Sequence, residues 1–293
     1  MFEIILPEDK CEMFHEIAIP LSKILNANIQ IKPNFEFDFS NERCVYVLIG
    51  YETQSHCPAK KYIVCQFEPV CARLGKEYWN ALYVYQSLMK DALCVLEYSY
   101  QNIHVMKHVF HLPNVVYTSF GYHEHFDKFI NKPITKKDND VIFLGNPVRR
   151  RLSILNNLKS GLTDLKIYTQ TYDDEKYSIL NNSKILINIH MDSEKSCLEM
   201  VRIVYAIANG CLVVSEPSGD KYTDAILKEH VVFCEVSDMT RCIKELLRTP
   251  HEIHKRAQEA YKWLKTKYTY SKLLQSSDLV SYVPDFKVHQ RHE

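Results

Sequence analysis

The feature that most constrains the fold is an alternation of short apolar runs with segments of helical period, which occurs twice along the chain. Residues 44–50 (CVYVLIG) and 62–67 (YIVCQF) are continuous runs of β-branched and aromatic residues, as expected for strands covered on both faces. Strands that alternate with helices in this way are typical of an open parallel sheet. The first set predicts strands at 2–6, 28–31, 44–50, 62–67, 92–96 and 114–118, and helices near 11–25, 76–89 and 100–109.

A second set follows residues 121–140, a polar segment without sustained periodicity that we interpret as an interdomain link. We therefore predict an α/β protein with two open parallel-sheet domains, 1–125 and 126–268, and a C-terminal helix and tail, 269–293. Open sheets bind ligands at the carboxyl ends of their strands, so we expect the site in a cleft where the two sheets face each other. The second set predicts strands at 141–145, 165–169, 184–190, 211–215 and 231–235, and helices starting near 148, 174, 197, 221, 249 and 270.

The composition narrows the range of partners. Lys plus Arg and Asp plus Glu both number 36 in 293 residues, which argues against a nucleic-acid partner. The ten cysteines are scattered without C-x-x-C, and the first residues lack the pattern of a signal peptide. No window approaches 18 consecutive apolar residues, so we expect no membrane span and a cytoplasmic location, the host cytoplasm if the source is a virus.

The sequence lacks the motifs of several common classes of enzyme and binding site. No two of the seven glycines are separated by a single residue, so neither the dinucleotide-binding motif G-x-G-x-x-G nor the P-loop occurs. The motifs H-E-x-x-H and G-x-S-x-G are also missing. His123 and His125 have no third ligand at metal spacing, so we predict no metal site.

Three arginines open a predicted helix in FLGNPVRRRLSIL, residues 143–155. Arg149, Arg150 and Arg151 place positive charge where the helix dipole favours anions, so a compensating negative group is expected. A bound phosphate would compensate, because backbone N–H groups and guanidinium groups both suit it. The alternative is a solvated basic face paired to nearby carboxylates.

The segment 184–199 repeats this arrangement. A buried strand carries His190 to its carboxyl end, a loop holds Ser193 and Ser196, and the next helix begins with Glu199. We expect the polar groups to converge at one edge of the sheet. Two structural readings stay open, namely a core role for His190 and an i, i+3 ion pair between Glu199 and Arg202.

The motifs FLGN..RR, LINIH and LE..RI..A...G.LVVSE, within residues 141–216, resemble the donor-binding half of GT-B-fold glycosyltransferases, notably compact bacterial and viral ones. The first half is similar to theirs in YIVCQFE, EYWNAL and S..N....K, and in the strand that ends before GY. The resemblance implies two Rossmann-like domains and a C-terminal helix that returns to the first domain.

The resemblance also implies site residues. Many relatives have a ribose-binding glutamate five residues before the glycine of the helix, where this chain has Tyr205, and Ser215 and Glu216 would close the pocket around the base or ribose. The donor-binding residues would be Gly145, Asn146, Arg149, Arg150, His190, Ser196, Glu199, Arg202, Tyr205, Ser215 and Glu216.

The implied reaction moves a hexose or pentose from a UDP- or GDP-linked sugar to a hydroxyl of a glycan acceptor, without a metal or another cofactor. Positive groups would stabilise the departing diphosphate. An inverting enzyme needs a base from the first domain, for which Glu68 is the first candidate and Glu52 and His56 are the others. A retaining enzyme could use the leaving phosphate instead. Two alternatives are a non-catalytic nucleotide or glycan binder and a sugar-nucleotide epimerase.

Overall fold

The computed structural model divides into two compact units. Unit 1 comprises Met1–Ser119 and Tyr270–Glu293, and unit 2 comprises Phe120–Thr269. The segment expected to link two domains therefore lies within unit 2. Ser193 and Glu52 lie outside the described residues. The structure describes residues 1–33, 38–51, 54, 56–73, 79–129, 132–192, 196–284 and 286–288.

Unit 1 contains a parallel sheet with the strand order β2-β1-β3-β4-β5-β6. The central strands are buried on both faces, which explains their unbroken apolar sequences. The strands are β1 (Phe2–Pro7), β2 (Asn28–Lys32), β3 (Val45–Ile49), β4 (Tyr62–Gln66), β5 (Cys94–Glu97) and β6 (Val115–Tyr117).

Four helices of unit 1 connect these strands: α1 (Cys11–Leu25), α2 (Val70–Arg73), α3 (Trp79–Asp91) and α4 (Tyr100–His108). Ser99 caps α4 by accepting a hydrogen bond from the backbone N–H of Asn102. Tyr85, Leu88 and Met89 of α3 pack in the core against the sheet. The sequence did not predict α2, which is only one turn long.

Unit 2 contains a second parallel sheet, with the order β11-β10-β9-β7-β8. Together the two sheets confirm the predicted pair of Rossmann-like units. The strands are β7 (Asn139–Leu144), β8 (Leu165–Tyr168), β9 (Ser183–Asn188), β10 (Leu212–Ser215) and β11 (Val231–Phe233).

The helices of unit 2 cover the faces of its sheet. Helix α9 was not predicted, although its buried residues Met239, Ile243 and Leu246 recur at helical spacing. The sequence predicts the start of α10, with Thr249 at the N-cap and Pro250 at the first helical position, and the structure has both residues there. The Thr249 hydroxyl, however, donates to the Leu246 carbonyl at 3.2 Å and makes no cap bond to α10. The helices are α5 (Arg150–Gly161), α6 (Asp173–Asn181), α7 (Met200–Ala208), α8 (Lys221–Leu227), α9 (Val236–Leu247) and α10 (Pro250–Lys267).

The last helix, α11 (Tyr270–Ser276), belongs to unit 1, as the predicted return of the C-terminal segment requires. The Tyr282 hydroxyl donates to the Pro113 carbonyl at 3.1 Å, and the rings of Phe286 and Phe2 meet edge to face. In the described part of the chain, no helix is both long enough and apolar enough to cross a membrane.

Candidate functional site

The carboxyl ends of three neighbouring strands of unit 2 form the candidate site. The strands β10, β9 and β7 are adjacent, so the segments that follow Ser215, Asn188 and Leu144 emerge side by side. Gly145, directly after β7, has φ +141°, and a Cβ there would lie 2.8 Å from a terminal guanidinium nitrogen of Arg202. A glycine at this position therefore leaves room for Arg202 at the sheet edge.

Glu199 is the centre of a polar cluster at this edge. One carboxylate oxygen accepts a hydrogen bond from Arg151 at 2.7 Å, and the other accepts from the Asn188 amide at 2.9 Å and contacts His190 Nδ1 at 3.0 Å. Burial raises the pKa of Glu199, but the charges of His190, Arg202 and Arg151 outweigh burial and hold that pKa well below its usual range. Glu199 is therefore a carboxylate.

His190 is fully buried, and both of its ring nitrogens have protein partners. Nδ1 contacts the Glu199 carboxylate, and Nε2 lies 3.3 Å from the Pro217 carbonyl. Burial lowers the pKa of His190, yet the nearby carboxylates and that carbonyl raise it above the ordinary value overall. His190 thus has the core position that the sequence left open as an alternative. Its two ring nitrogens connect the Glu199 carboxylate to the loop at Pro217.

The arginines at the start of α5 bind carboxylates from later segments. Arg150 makes two bonds to Glu216, at 2.7 and 2.6 Å, and Arg149 bonds to Asp192 at 2.7 Å. Glu216 is buried and also accepts the backbone N–H of His190 at 2.6 Å. Two interpretations of these arginines were left open by the sequence, namely phosphate binding and pairing with nearby carboxylates. The structure contains the carboxylate pairs.

Arg202 differs from these arginines because its acceptor is neutral. Its guanidinium donates to the amide oxygen of Asn188 at 2.8 Å and lies 5.4 Å from the centre of the Phe143 ring. Burial lowers the pKa of Arg202 to about 9, and the charge of Arg151 contributes. The ion-pair partner of Glu199 is Arg151 rather than Arg202, so the i, i+3 pair expected as an alternative does not form.

Among the described residues, the cluster holds one guanidinium group that is not bonded to a carboxylate. Arg151 pairs with Glu199, whereas Arg202 bonds to the neutral amide of Asn188. The pairs Arg149–Asp192 and Arg150–Glu216 are each neutral. An edge with this balance of charge attracts an anion.

Three other predicted site residues line the same edge. Ser196 is buried, and its carbonyl accepts the backbone N–H of Gly219 at 2.9 Å. Ser215 is also buried and donates its hydroxyl to the Glu216 carbonyl at 2.8 Å. Asn146, one residue after Gly145, is exposed. Ser196 and Ser215 therefore support the loops, while Asn146 is accessible.

Tyr205 lies apart from the polar cluster, among aromatic side chains. Its ring packs edge to face against Phe126 and Tyr177, with centroid distances of 4.8 and 5.8 Å, and Lys176 Nζ lies 3.8 Å above it. Burial lowers the pKa of Lys176 to about 7. The burial of Lys176 was not predicted from sequence, because a lysine in a helix that begins with acidic residues, such as α6, is normally exposed to solvent.

Asp138 and Asp140 form a D-x-D motif, which the expectation of a reaction without a metal had assumed to be absent from this sequence. They lie at the amino end of β7, opposite the edge described above, where Asp140 pairs with Lys184 and Asp138 accepts from Asn182. Among the residues that the structure describes, no group of three His, Cys, Asp or Glu side chains could hold a metal ion.

In unit 1, the base candidate Glu68 follows β4 in a turn and is half-buried. Its backbone N–H and carbonyl are bound by the Gln66 amide at 2.5 and 2.7 Å. Sequence reasoning missed Glu97, a fully buried acid at the end of β5 that accepts from Gln66 at 2.7 Å. Burial raises the pKa of Glu97 from 4.5 to about 8. His56, the other described base candidate, is exposed.

The stability of unit 1 is expected to fall as the pH rises from about 5 to about 8, by roughly 3 to 4 kcal/mol, about 1.4 kcal/mol for each pH unit between the two pKa values. The reason is that native Glu97 retains a proton that the unfolded chain releases above a pKa of 4.5, so its stabilisation is complete below 4.5 and is lost as the pH passes about 8. Urea unfolding followed by circular dichroism at a series of pH values measures this. Glu97→Gln should lack the decrease, and an equal decrease in that variant would contradict the assignment.

Comparison with known proteins agrees with this geometry. The two parallel-sheet units place the chain in the GT-B fold class, and residues 148–276 match a family described as "Glycosyl transferase-like". Among solved structures, Anabaena HepE in complex with UDP and glucose has a TM-score of 0.68 at 8% identity, covering 97% of this chain and 99% of that one. The predicted resemblance to GT-B-fold glycosyltransferases is confirmed for the fold, and the family match covers residues 148–276, which is less than half of the chain.

Two relatives come from Acanthamoeba polyphaga mimivirus, and both are described as uncharacterized. The first is 28% identical over 159 residues, which cover 53% of this chain and 21% of that protein. The second is 24% identical over 223 residues, which cover 67% of this chain and 71% of that protein. This chain thus spans about a fifth of the length of the first relative, and its relatives include viral proteins.

Proposed function

We propose that the protein is a metal-independent glycosyltransferase that moves a hexose or pentose from a nucleotide-diphosphate sugar to a hydroxyl group of a glycan acceptor. The observation that carries this proposal is the guanidinium of Arg202 at the sheet edge of unit 2, whose bonding partner is a neutral amide rather than a carboxylate. A diphosphate supplies the negative charge that this edge lacks. Its phosphate oxygens can also accept charge-assisted hydrogen bonds from the guanidinium of Arg202.

Arg202 is the guanidinium that stabilises the leaving diphosphate in this proposal. Cleavage of the sugar–phosphate bond places negative charge on the leaving group, so a fixed positive group there lowers the barrier. Arg202 lies beside Gly145, and its acceptor is the amide of Asn188. A phosphate can therefore bind Arg202 without leaving a carboxylate unpaired in the interior. The N–H groups at the start of α5 add further donors.

Glu68 acts as the base in this proposal. Its carboxylate takes the proton of the acceptor hydroxyl as the oxygen attacks the anomeric carbon, and the bond to the diphosphate breaks. The rigid binding of the Glu68 main chain by Gln66 favours such a role, since a base must be held in place. This step corresponds to an inverting reaction.

The donor is proposed to be a UDP-linked sugar, with a GDP-linked sugar as the alternative. The structurally similar Anabaena protein was solved with UDP and glucose, which favours UDP. The viral relatives suggest a viral source, and we propose that the protein acts in the host cytoplasm. A panel of UDP- and GDP-linked hexoses and pentoses, incubated with and without glycan acceptors, tests the proposal. Acceptor-dependent release of nucleoside diphosphate is the expected result.

A second candidate function, a nucleotide or glycan binder without turnover, is favoured by Tyr205. Its buried ring packs against Phe126 and Tyr177 at the position where many relatives have a ribose-binding glutamate. The same panel separates the functions. Binding without release of nucleoside diphosphate supports the binder, and conversion of the donor without an acceptor supports an epimerase or a hydrolase.

Arg202→Ala is expected to weaken binding of UDP or GDP by on the order of 2 kcal/mol, because one charge-assisted bond is lost. Isothermal titration calorimetry measures the affinity, and circular dichroism checks the fold. The matched control is Arg241→Ala, which removes an exposed arginine of α9 in the same unit and should leave the affinity unchanged. Wild-type affinity in folded Arg202→Ala would show that Arg202 has only a structural role.

A further inference from the structure

Two side chains that end neighbouring strands of unit 1 contact each other in the interior. Gln66 and Glu97 are register partners in the parallel pair formed by β4 and β5. The Gln66 amide nitrogen donates to one oxygen of Glu97 at 2.7 Å, and both residues are buried. The other oxygen of Glu97 accepts the backbone N–H of Ser99 at 2.8 Å. Glu97 therefore connects the end of β4 to the start of α4.

The oxygen and the nitrogen of the Gln66 amide each form a hydrogen bond with the main chain of Glu68. Its oxygen accepts the backbone N–H of Glu68 at 2.5 Å, and its nitrogen donates to the Glu68 carbonyl at 2.7 Å. This pair of bonds forms only in one orientation of the amide, because the two ends have opposite hydrogen-bonding character. The acceptor oxygen of Glu97 beside the nitrogen selects that orientation.

Asn102 repeats the arrangement from α4. Its amide nitrogen donates to the Glu68 carbonyl at 3.0 Å and to Glu97 at 3.2 Å, and its amide oxygen accepts the backbone N–H of Cys71 at 3.0 Å. Here too, the nitrogen must face Glu97 and the oxygen must face away. Glu97 thus fixes the orientation of both amide side chains that hold the Glu68 turn.

We propose that Glu97 is a positioning residue. Its carboxyl group orients the Gln66 and Asn102 amides, and these amides fix the backbone of Glu68 and with it the position of the Glu68 side chain. This inference rests on the proposed role of Glu68 as the base. An acid at position 97 is suited to this task even when it is protonated, because both of its oxygens can accept a hydrogen bond, whereas the NH2 group of a glutamine there would only donate and would face the nitrogen of Gln66 or of Asn102. One of those amides would then rotate, and its bonds to the Glu68 turn would break.

The test compares wild type, Glu97→Gln and Gln66→Met. Gln66→Met keeps the volume of the side chain but removes both bonds to Glu68, and it tests the same network if Glu97→Gln does not fold. The control is Tyr62→Phe, which removes a buried hydrogen bond to the Leu88 carbonyl from the same strand without touching the turn. Two quantities are measured, namely hydrogen exchange of the Glu68 and Cys71 backbone amides by NMR, and the kinetics of sugar transfer.

We expect exchange of the Glu68 amide to accelerate about tenfold in both variants, the factor for loss of one buried hydrogen bond. We expect kcat to fall about tenfold or more, with the KM for the donor nearly unchanged, because a displaced base slows the chemical step alone. Tyr62→Phe should change neither quantity. Wild-type exchange and wild-type kcat in folded Glu97→Gln would overturn the inference.

The outcomes also separate this inference from the proposed function. A wild-type chain that transfers no sugar to any acceptor would overturn the proposed function, and the exchange rates would still decide whether Glu97 orients the turn. Transfer that is lost in Glu68→Gln but unchanged in both Glu97→Gln and Gln66→Met would keep the proposed function and overturn the positioning role.

Discussion

Sugar transfer is expected to fall by about 100-fold or more when Glu68 is replaced by glutamine, the loss typical of a missing general base. Glutamine has nearly the same shape as glutamate but cannot take a proton from the acceptor hydroxyl. The bonds of Gln66 to this residue involve only its backbone N–H and carbonyl, so the turn should remain in place. Steady-state release of UDP in the presence of acceptor measures the loss.

The control for Glu68→Gln is Glu42→Gln, which changes an exposed glutamate of unit 1 that pairs with Lys60. This variant should keep full activity. Donor affinity should be unchanged in both variants, since the donor is proposed to bind unit 2. Full transfer activity in Glu68→Gln would remove Glu68 from the mechanism and favour a retaining reaction, in which the leaving phosphate takes the proton.

Glu199→Ala is expected to lower the free energy of unfolding of unit 2 by about 3 kcal/mol, because it leaves the buried guanidinium of Arg151 without its carboxylate. Arg151 and His190 both contact Glu199, and their side chains are 7% and 0% exposed. The pKa of His190 should also fall in this variant, since the charge of Glu199 is the main factor that opposes burial there.

Urea unfolding in a Trp79→Phe background measures this effect, because Trp263 of unit 2 is then the remaining tryptophan. The matched control is Glu245→Ala on α9, which breaks an ion pair with Arg241 whose side chains are 56% and 65% exposed. Exposed pairs contribute about 1 kcal/mol or less, so this control should unfold almost like wild type. Equal losses in the two variants would contradict a central role for the cluster.

The strands were predictable from sequence because continuous β-branched runs such as 44–50 and 62–67 suit a sheet covered on both faces. Helix α9 was missed although Met239 and Ile243 have helical spacing, because polar residues separate its apolar positions. The position of the cap at Thr249 was predicted correctly, but the bond of its hydroxyl was not. A threonine hydroxyl can bond either forward to the new helix or backward to the preceding one, and here it bonds backward.

The convergence of the candidate site could be predicted in part. Parallel strands end at one edge, so Gly145, His190 and Glu216 were expected to lie close together, and they follow adjacent strands. The pairing within the site could not be predicted, because partners such as Arg151 and Glu199 are 48 residues apart in sequence. Choosing among several acids for each arginine requires the packed geometry of α5 against β9.

The return of the chain end to unit 1 has a consequence for how the protein is made. Unit 1 is assembled from the first 119 residues and the last 24, so its sheet leaves the ribosome long before the segment that contains α11. Unit 2 is contiguous and can fold as soon as it is synthesised. The N-terminal sheet therefore gains the segment that contains α11 only after unit 2 has been synthesised, and in a nascent chain stalled before Tyr270 the apolar surface that this segment covers stays exposed to chaperones.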